Sequence, residues 1–395
     1  MTADQAHQAD QAHQAGRTDT PGPAGGEPEI HRSPDSVTAE LADGWRGLVA
    51  DDPHGSWFAT PEWVLSWWET LGADAGTGEI AVWRRTDGQV AAVVPLLRTR
   101  LRLHPRVPFG AACLTLLGSG PGAADHCGPA VAPDHRPAVR TWLAATARRT
   151  TLWLPDLDPG AAALVPARAR AVGRTPCPRA DLTGGSDALG SRQFRSTVRR
   201  YRRKLDAAGV AFRWVPPAEA GPDLLDDVLA LHRLRRAALG RPTTFDSGRR
   251  PLHVRLMERS ARTTAPGGQG PAFLVAEHGG RVVGGLYGFR WGAGFAYYQI
   301  GWDPSFAPLR LGTVVIAEAV RACADQGLHT FDFLRGTEPY KYRFGAVDRA
   351  DVSWLLPHGP GGALIAAKHR LKQRAARAAS DEVRSRPDRS DGRRR

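Results

Sequence analysis

The chain has 395 residues, 42% hydrophobic and 24% charged, and its 53 Lys and Arg against 40 Asp and Glu leave a formal charge of +13. That length supports two or three packed units with real cores, while no apolar run approaches the roughly 18 residues of a membrane helix. Cys113, Cys127, Cys177 and Cys323 lie far apart, which argues against a disulfide scaffold or a structural zinc module, so no metal is expected. The first residues have neither the basic nor the apolar region of a secretory signal. The expected class is a soluble, cytoplasmic α/β protein of several units, without membrane insertion.

The charge is uneven. Residues 1–35 carry six acidic and two basic side chains, whereas 366–395 carry eleven basic and four acidic. Both ends have tail-like composition. The first repeats DQAHQA over 4–15, where His7 and His13 are read as part of the repeat; the last ends Arg393-Arg394-Arg395. Such segments bury too little to order themselves.

In the ordered part, Thr60-Pro61 opens a helix with a capping residue and a first-turn proline. Val64, Trp67, Trp68 and Leu71 form its apolar stripe, and Gly72 is expected to stop it. A hairpin over 81–95 turns at Asp87-Gly88, and a similar one over 273–287 turns at Gly280. Each follows a helical region, which points to two copies of one α/β unit in tandem. The loop between them that holds Asp125-His126-Cys127 is read as a plain connection or part of a cleft, since side chains adjacent in sequence diverge too much for a nucleophile dyad.

Arg192 to Lys204 holds seven positive charges and no acid, with Phe194, Val198, Tyr201 and Leu205 as a helical stripe. A second helix over 223–239 carries acids first and arginines last, the order that suits its dipole. Then come a strand over 295–301, a Pro-rich loop ending at Gly312, a helix from Thr313 to Gln326 closed by Gly327, and a strand over 330–335. Strand, glycine-bearing loop, helix and strand present a helix N-terminus to an anion.

At this point FATPEW at 58–63, Leu231-His232, YYQIGWDP at 297–304 and above all FDFLRGTEPYKYRF at 331–344 resemble the GNAT-type acyltransferases grouped with CelD-like cellulose-biosynthesis proteins. That group is related to the Fem-type aminoacyl-tRNA-dependent transferases. The resemblance spans residues 40–358. It implies an α/β fold of mixed sheets, built as a tandem pair of GNAT-like lobes at 39–185 and 186–360. The basic helix 192–208 would be the connector, with a disordered tail over 1–38 and a basic tail, helical or disordered, over 361–395. The implied activity is transfer of an acyl group from acetyl-CoA or another acyl-CoA to the amine of a small metabolite or sugar-linked precursor, by direct attack in a ternary complex. An aminoacyl-tRNA donor is the alternative, and a non-catalytic binding protein the second alternative. The family's pyrophosphate loop, Gln/Arg-x-x-Gly-x-Gly/Ala, is reduced here to Arg310-Leu311-Gly312-Thr313.

Acyl transfer to an amine needs a base, a positioned donor, oxyanion stabilisation and a proton for the leaving group. Donor binding is assigned to Arg310, Leu311, Gly312, Thr313 and Val314, with free N–H groups expected at the last three. Asp332, facing away from Phe331 and Phe333, is either a surface acid or a cleft base, with Glu338 its rival. Tyr340 is a candidate acid for the departing thiolate. By analogy with the Fem-type motif, Lys341 would stabilise charge on the reacting carbonyl. Tyr298 and Arg335 are assigned to substrate. The charges of the basic helix suit a solvated face, a tRNA acceptor stem or a small anion such as the CoA 3′-phosphate. The high Arg, Ala, Gly and Pro content with only 2 Met suggests a GC-rich bacterial genome.

Overall fold

The computed structural model describes residues 26–102, 110–120, 124–241, 247–262 and 268–371; the repeat with His7 and His13 and the terminal arginines lie outside them. The chain opens with strand β1 (Glu29–His31) and helices α1 (Ala39–Asp51) and α2 (Pro61–Trp67). The first hairpin follows as β2 (Thr77–Arg84) and β3 (Val90–Arg102). Next come β4 (Gly110–Leu116), β5 (Ala130–Val131), α3 (Arg136–Thr146), β6 (Thr151–Leu157) and β7 (Arg170–Asp181). The second half has α4 (Arg192–Ala207), β8 (Ala211–Val215), α5 (Pro222–Ala238), α6 (Arg250–Arg262), β9 (Gly270–His278) and β10 (Arg281–Trp291). It ends with β11 (Gly294–Trp302), α7 (Leu311–Asp325), β12 (Thr330–Asp332), the one-turn α8 (Pro339–Tyr342) and β13 (Val347–Leu356). Strand, two helices, hairpin, strand, helix and two strands thus occur twice.

Local chemistry explains the element ends. Thr60 caps α2 by accepting a hydrogen bond from the Trp63 N–H. Gly72 does not stop this helix: Trp68–Gly72 form a π-turn, helix resumes over Ala73–Ala75, and Gly76 at φ +153° ends it. The bare Cα of Gly72 lets the Trp68 indole lie over it, where a Cβ would sit 2.7 Å from Cδ1. Ser191 caps α4 and Gly209, left-handed at φ +77°, closes it. In the second hairpin both Gly279 and Gly280 have positive φ, as a two-residue turn requires. The strand expected over 330–335 is shorter, because Leu334 turns left-handed at φ +55°.

All strands join one sheet, in the order β1-β2-β3-β4-β6-β13-β7-β12-β11-β10-β9-β8, with β5 on β3. The two halves exchange their last strands. β7 pairs with β12 of the second half, and β13 inserts between β6 and β7. One core is shared by both halves: Trp45, Trp63 and Trp67 belong to the same cluster as Leu225, Leu252 and Phe289. Trp57 stacks on Phe289 with centroids 5.6 Å apart, and Phe58 meets Phe289 edge-on. Much of FATPEW is therefore packing between halves. On the opposite face, α7 and Leu205 of α4 cover the second half of the sheet. Among the described residues no helix is long and apolar enough to cross a membrane.

Candidate active site

β11 and β12 run parallel only over Gly294–Ala296 and Thr330–Asp332. The pairing of β11 with β10 shifts register between Tyr287 and Gly288, so that Tyr298 is the extra residue of a bulge. A bulge bends its strand and marks many active sites; here β11 leaves β12 just beyond it. The exposed edge has no strand partner at Ile300. Its N–H donates to the Gln299 side-chain carbonyl at 3.1 Å, and its C=O lies 3.0 Å from His232 Nδ1. Both backbone groups are thus satisfied by side chains that a ligand can replace.

A cavity of about 560 Å³ opens at this edge, against the start of α7. It is strongly basic: Arg235, Arg236, Arg241, Arg310 and Arg343 line it. Tyr297, Glu338 and Tyr340 form part of its wall. Burial pushes the Tyr340 phenol up to about 12, with a hydrogen bond to Tyr297 acting the other way. Burial also lowers the His232 pKa, so its ring is neutral at pH 7. The edge-to-face contact of Phe194 with Phe344, 4.9 Å between centroids, anchors the basic α4 beside the cavity.

The structure thus gathers Arg310, Gly312, Thr313, Glu338 and Tyr340 from the sequence-based set. The helix start differs from expectation. Arg310 is left-handed at φ +52°, and its carbonyl accepts from the N–H groups of Thr313 and Val314. Those two amides serve the first turn, and Val314 and Leu311 side chains are buried in the core. Gly312 is required by packing, since a Cβ would lie 2.5 Å from Trp302 Nε1. The Arg310 guanidinium sits 5.1 Å from the Tyr201 ring, which Arg200 and Lys204 also approach.

Four assigned residues stand elsewhere. Lys341 is buried, with Nζ donating to the carbonyls of Leu334, Arg335 and Gly336 at 3.1, 2.7 and 3.1 Å, and 2.9 Å from Glu338. Its three protons are committed to these acceptors. Arg335 is engaged by Asp125, by Asp156 at 3.2 Å and by the Ala124 carbonyl, tying the halves together rather than holding substrate. Tyr298 packs on the other face among Phe58, Trp63, His253 and Phe289.

Asp332 faces the other side of the sheet, as its alternation with two phenylalanines requires. There it lines a cavity of about 950 Å³ between the halves, together with His126 and Arg179. Burial opposes its ionisation, but His126 and Arg179 hold the carboxyl down at about 2. His126 Nε2 is 3.0 Å from Asp332, and Nδ1 is 2.8 Å from Asp351. Burial resists charge on the imidazole, while these carboxylates push it up to about 10. A carboxylate so paired is a poor base. The loop at 125–127 does form part of a cleft, and no nucleophile dyad arises there: burial pushes the Cys127 thiol up.

Two groups of residues escaped the sequence reading. Arg235 and Arg236 were assigned to the helix dipole and His232 entered only through the Leu231-His232 resemblance, although their spacing sets all three on one face of α5. Tyr297 and Gln299 were read only as part of a strand and of the YYQIGWDP resemblance.

No curated protein matches the chain in sequence. Solved structures similar in fold include the following two. The crystal structure of FemX is 12% identical, with 83% of this chain and 97% of that one covered at a TM-score of 0.58. The C-terminal domain (DUF2156) of a putative lysylphosphatidylglycerol synthetase from Agrobacterium fabrum is also 12% identical, with 84% and 96% covered at 0.52. Residues 192–342, which contribute most of the basic cavity, match the family model for the acetyltransferase (GNAT) domain. Residues 192–342 are therefore similar to a GNAT acetyltransferase domain, in a mixed α/β fold of GNAT type.

Proposed function

We propose that the protein is an N-acyltransferase that moves an acyl group from acyl-CoA to the amine of a small acceptor, and that it belongs to the CelD-like group within the GNAT family. The observation that carries this is the unpaired edge of β11 beside the bulge, inside an arginine-lined cavity at the start of α7. The donor's amide-bearing arm would replace the Gln299 side chain at the Ile300 N–H, and the arginines would take its phosphates.

The steps balance as follows. The acceptor nitrogen bonds to the thioester carbonyl carbon, the C–S bond breaks, and the thiolate takes the proton of Tyr340. Glu338, on the same wall, accepts the proton released by the amine. Both groups then exchange protons with water. Lys341 is a positioning residue here, holding the 334–336 carbonyls and Glu338 in place.

An aminoacyl-tRNA donor is the second reading, favoured by the arginine-covered α4 that continues the basic cavity wall. Calorimetry with acetyl-CoA and with bulk tRNA, at low and moderate salt, separates the two. Acetyl-CoA binding that weakens about tenfold or more in Arg310→Ala supports the first. Binding of tRNA alone, falling steeply with salt, replaces it with the second. Binding of neither overturns both. With the acceptor in hand, Tyr340→Phe and Glu338→Gln should each lower kcat about 100-fold.

A further inference from the structure

The segments exchanged between the halves meet in a cluster of metal-ligand chemistry that the transferase reading does not use. His126 comes from the loop before β5, Cys177 from β7 and Asp351 from β13. Their ligand atoms, a ring nitrogen of His126, Cys177 Sγ and an Asp351 carboxylate oxygen, lie within 4.8 Å of one another, and all three residues are buried. In the sheet Asp351 pairs with Thr175, which makes Cys177 its diagonal neighbour on the same face.

We propose that His126, Cys177 and Asp351 bind a zinc ion that fastens the exchanged strands. Imidazole, thiolate and carboxylate together are a donor set that zinc favours. The surrounding shell also fits. A metal-bound histidine usually gives its other N–H to a carboxylate, and His126 Nε2 is 3.0 Å from Asp332, which Arg179 holds in turn. The Asp351 oxygen that accepts from the His126 backbone N–H at 2.9 Å is fixed in place, leaving the other directed at Nδ1.

Charge balances as well. Entry of the divalent ion displaces the proton shared between His126 Nδ1 and Asp351 and the thiol proton of Cys177, which hydrogen-bonds to Asp351 at 3.7 Å. Two protons leave as two positive charges arrive, so the buried network keeps its net charge. A cavity of about 950 Å³ reaches His126 and its partner Asp332. Water or the second Asp351 oxygen completes a tetrahedral shell.

The test uses the full chain, stripped with chelator and reloaded with cobalt as the spectroscopic stand-in for zinc. The expected result is a thiolate-to-cobalt charge-transfer band that saturates at a single metal per chain and disappears on adding zinc. Cys177→Ser should lose the band while keeping the native circular dichroism. Asp332→Asn should keep it with affinity lowered about 10- to 100-fold. The double variant His7→Gln/His13→Gln should bind as the wild type does, separating the site from the N-terminal repeat. Absence of the band in the wild type, or a band of equal intensity in Cys177→Ser, overturns the proposal.

Discussion

A buried ammonium needs three acceptors, and Lys341 has them in three consecutive carbonyls. Lys341→Met should therefore act first on stability, costing about 3–5 kcal/mol by urea unfolding, because it strips buried partners from the 334–336 turn. A loss below about 1 kcal/mol would return the ammonium to a role in the cavity. His253 is the matching case on the other face. It is fully enclosed in the aromatic cluster, its Nδ1 3.1 Å from the Tyr287 hydroxyl, and burial lowers its pKa to about 3. The folded state keeps this ring neutral, whereas the unfolded chain takes up a proton near its ordinary value of about 6.5. Its contribution is thus fully present above pH 6.5 or so and is lost as pH falls toward about 3. The wild type should lose up to about 1.4 kcal/mol per pH unit more than His253→Gln in that window. Denaturant titrations of both proteins across it check this, and parallel slopes would contradict it.

At the scale of elements, the bulge in β11 decides where its open edge lies. Gly288, opposite the bulge, tolerates no side chain: a Cβ would sit 2.3 Å from the Ala296 carbonyl and 2.4 Å from the Phe295 ring. Gly288→Ala should force β10 and β11 apart and cost about 2–3 kcal/mol. It should also weaken acetyl-CoA binding, while a remote destabilised variant of equal stability binds normally. Unchanged binding at the lowered stability would separate the bulge from the donor site. The basic α4 was legible at this scale as a helix with one apolar stripe. Its place beside the basic cavity was not, because Phe194 meets Phe344 only once the chain has folded.

Over the whole molecule, strand exchange removes any line along which the halves can be parted. β7 belongs in sequence to the first half and in the sheet to the second, and β13 is the converse. With a shared core as well, the chain should unfold in one cooperative transition, a calorimetric enthalpy matching the van't Hoff value. Two resolved transitions would contradict the coupling. Truncation before Val347, which removes β13, should leave neither half folded, as lost near-ultraviolet circular dichroism would report.

What was readable without coordinates was local. The cap at Thr60, the turns at Gly88 and Gly280 and the stripe of α4 depend on neighbours a few residues away. The doubled order of elements followed from two such hairpins, and motif resemblance singled out Arg310 and Tyr340, which line one basic cavity. Roles that depend on distant partners were misassigned or missed. Asp332 has the alternation of a cleft acid, yet its charge is set by His126 and Arg179 from the other half. Lys341 sits in the expected motif, but a left-handed turn at Leu334 brings the carbonyls to it. Sequence patterns report periodicity and local hydrogen bonding; they carry no record of which strand will insert between which others. That choice, made by burial across the shared sheet, brought His126, Cys177 and Asp351 together and left β11 with an open edge.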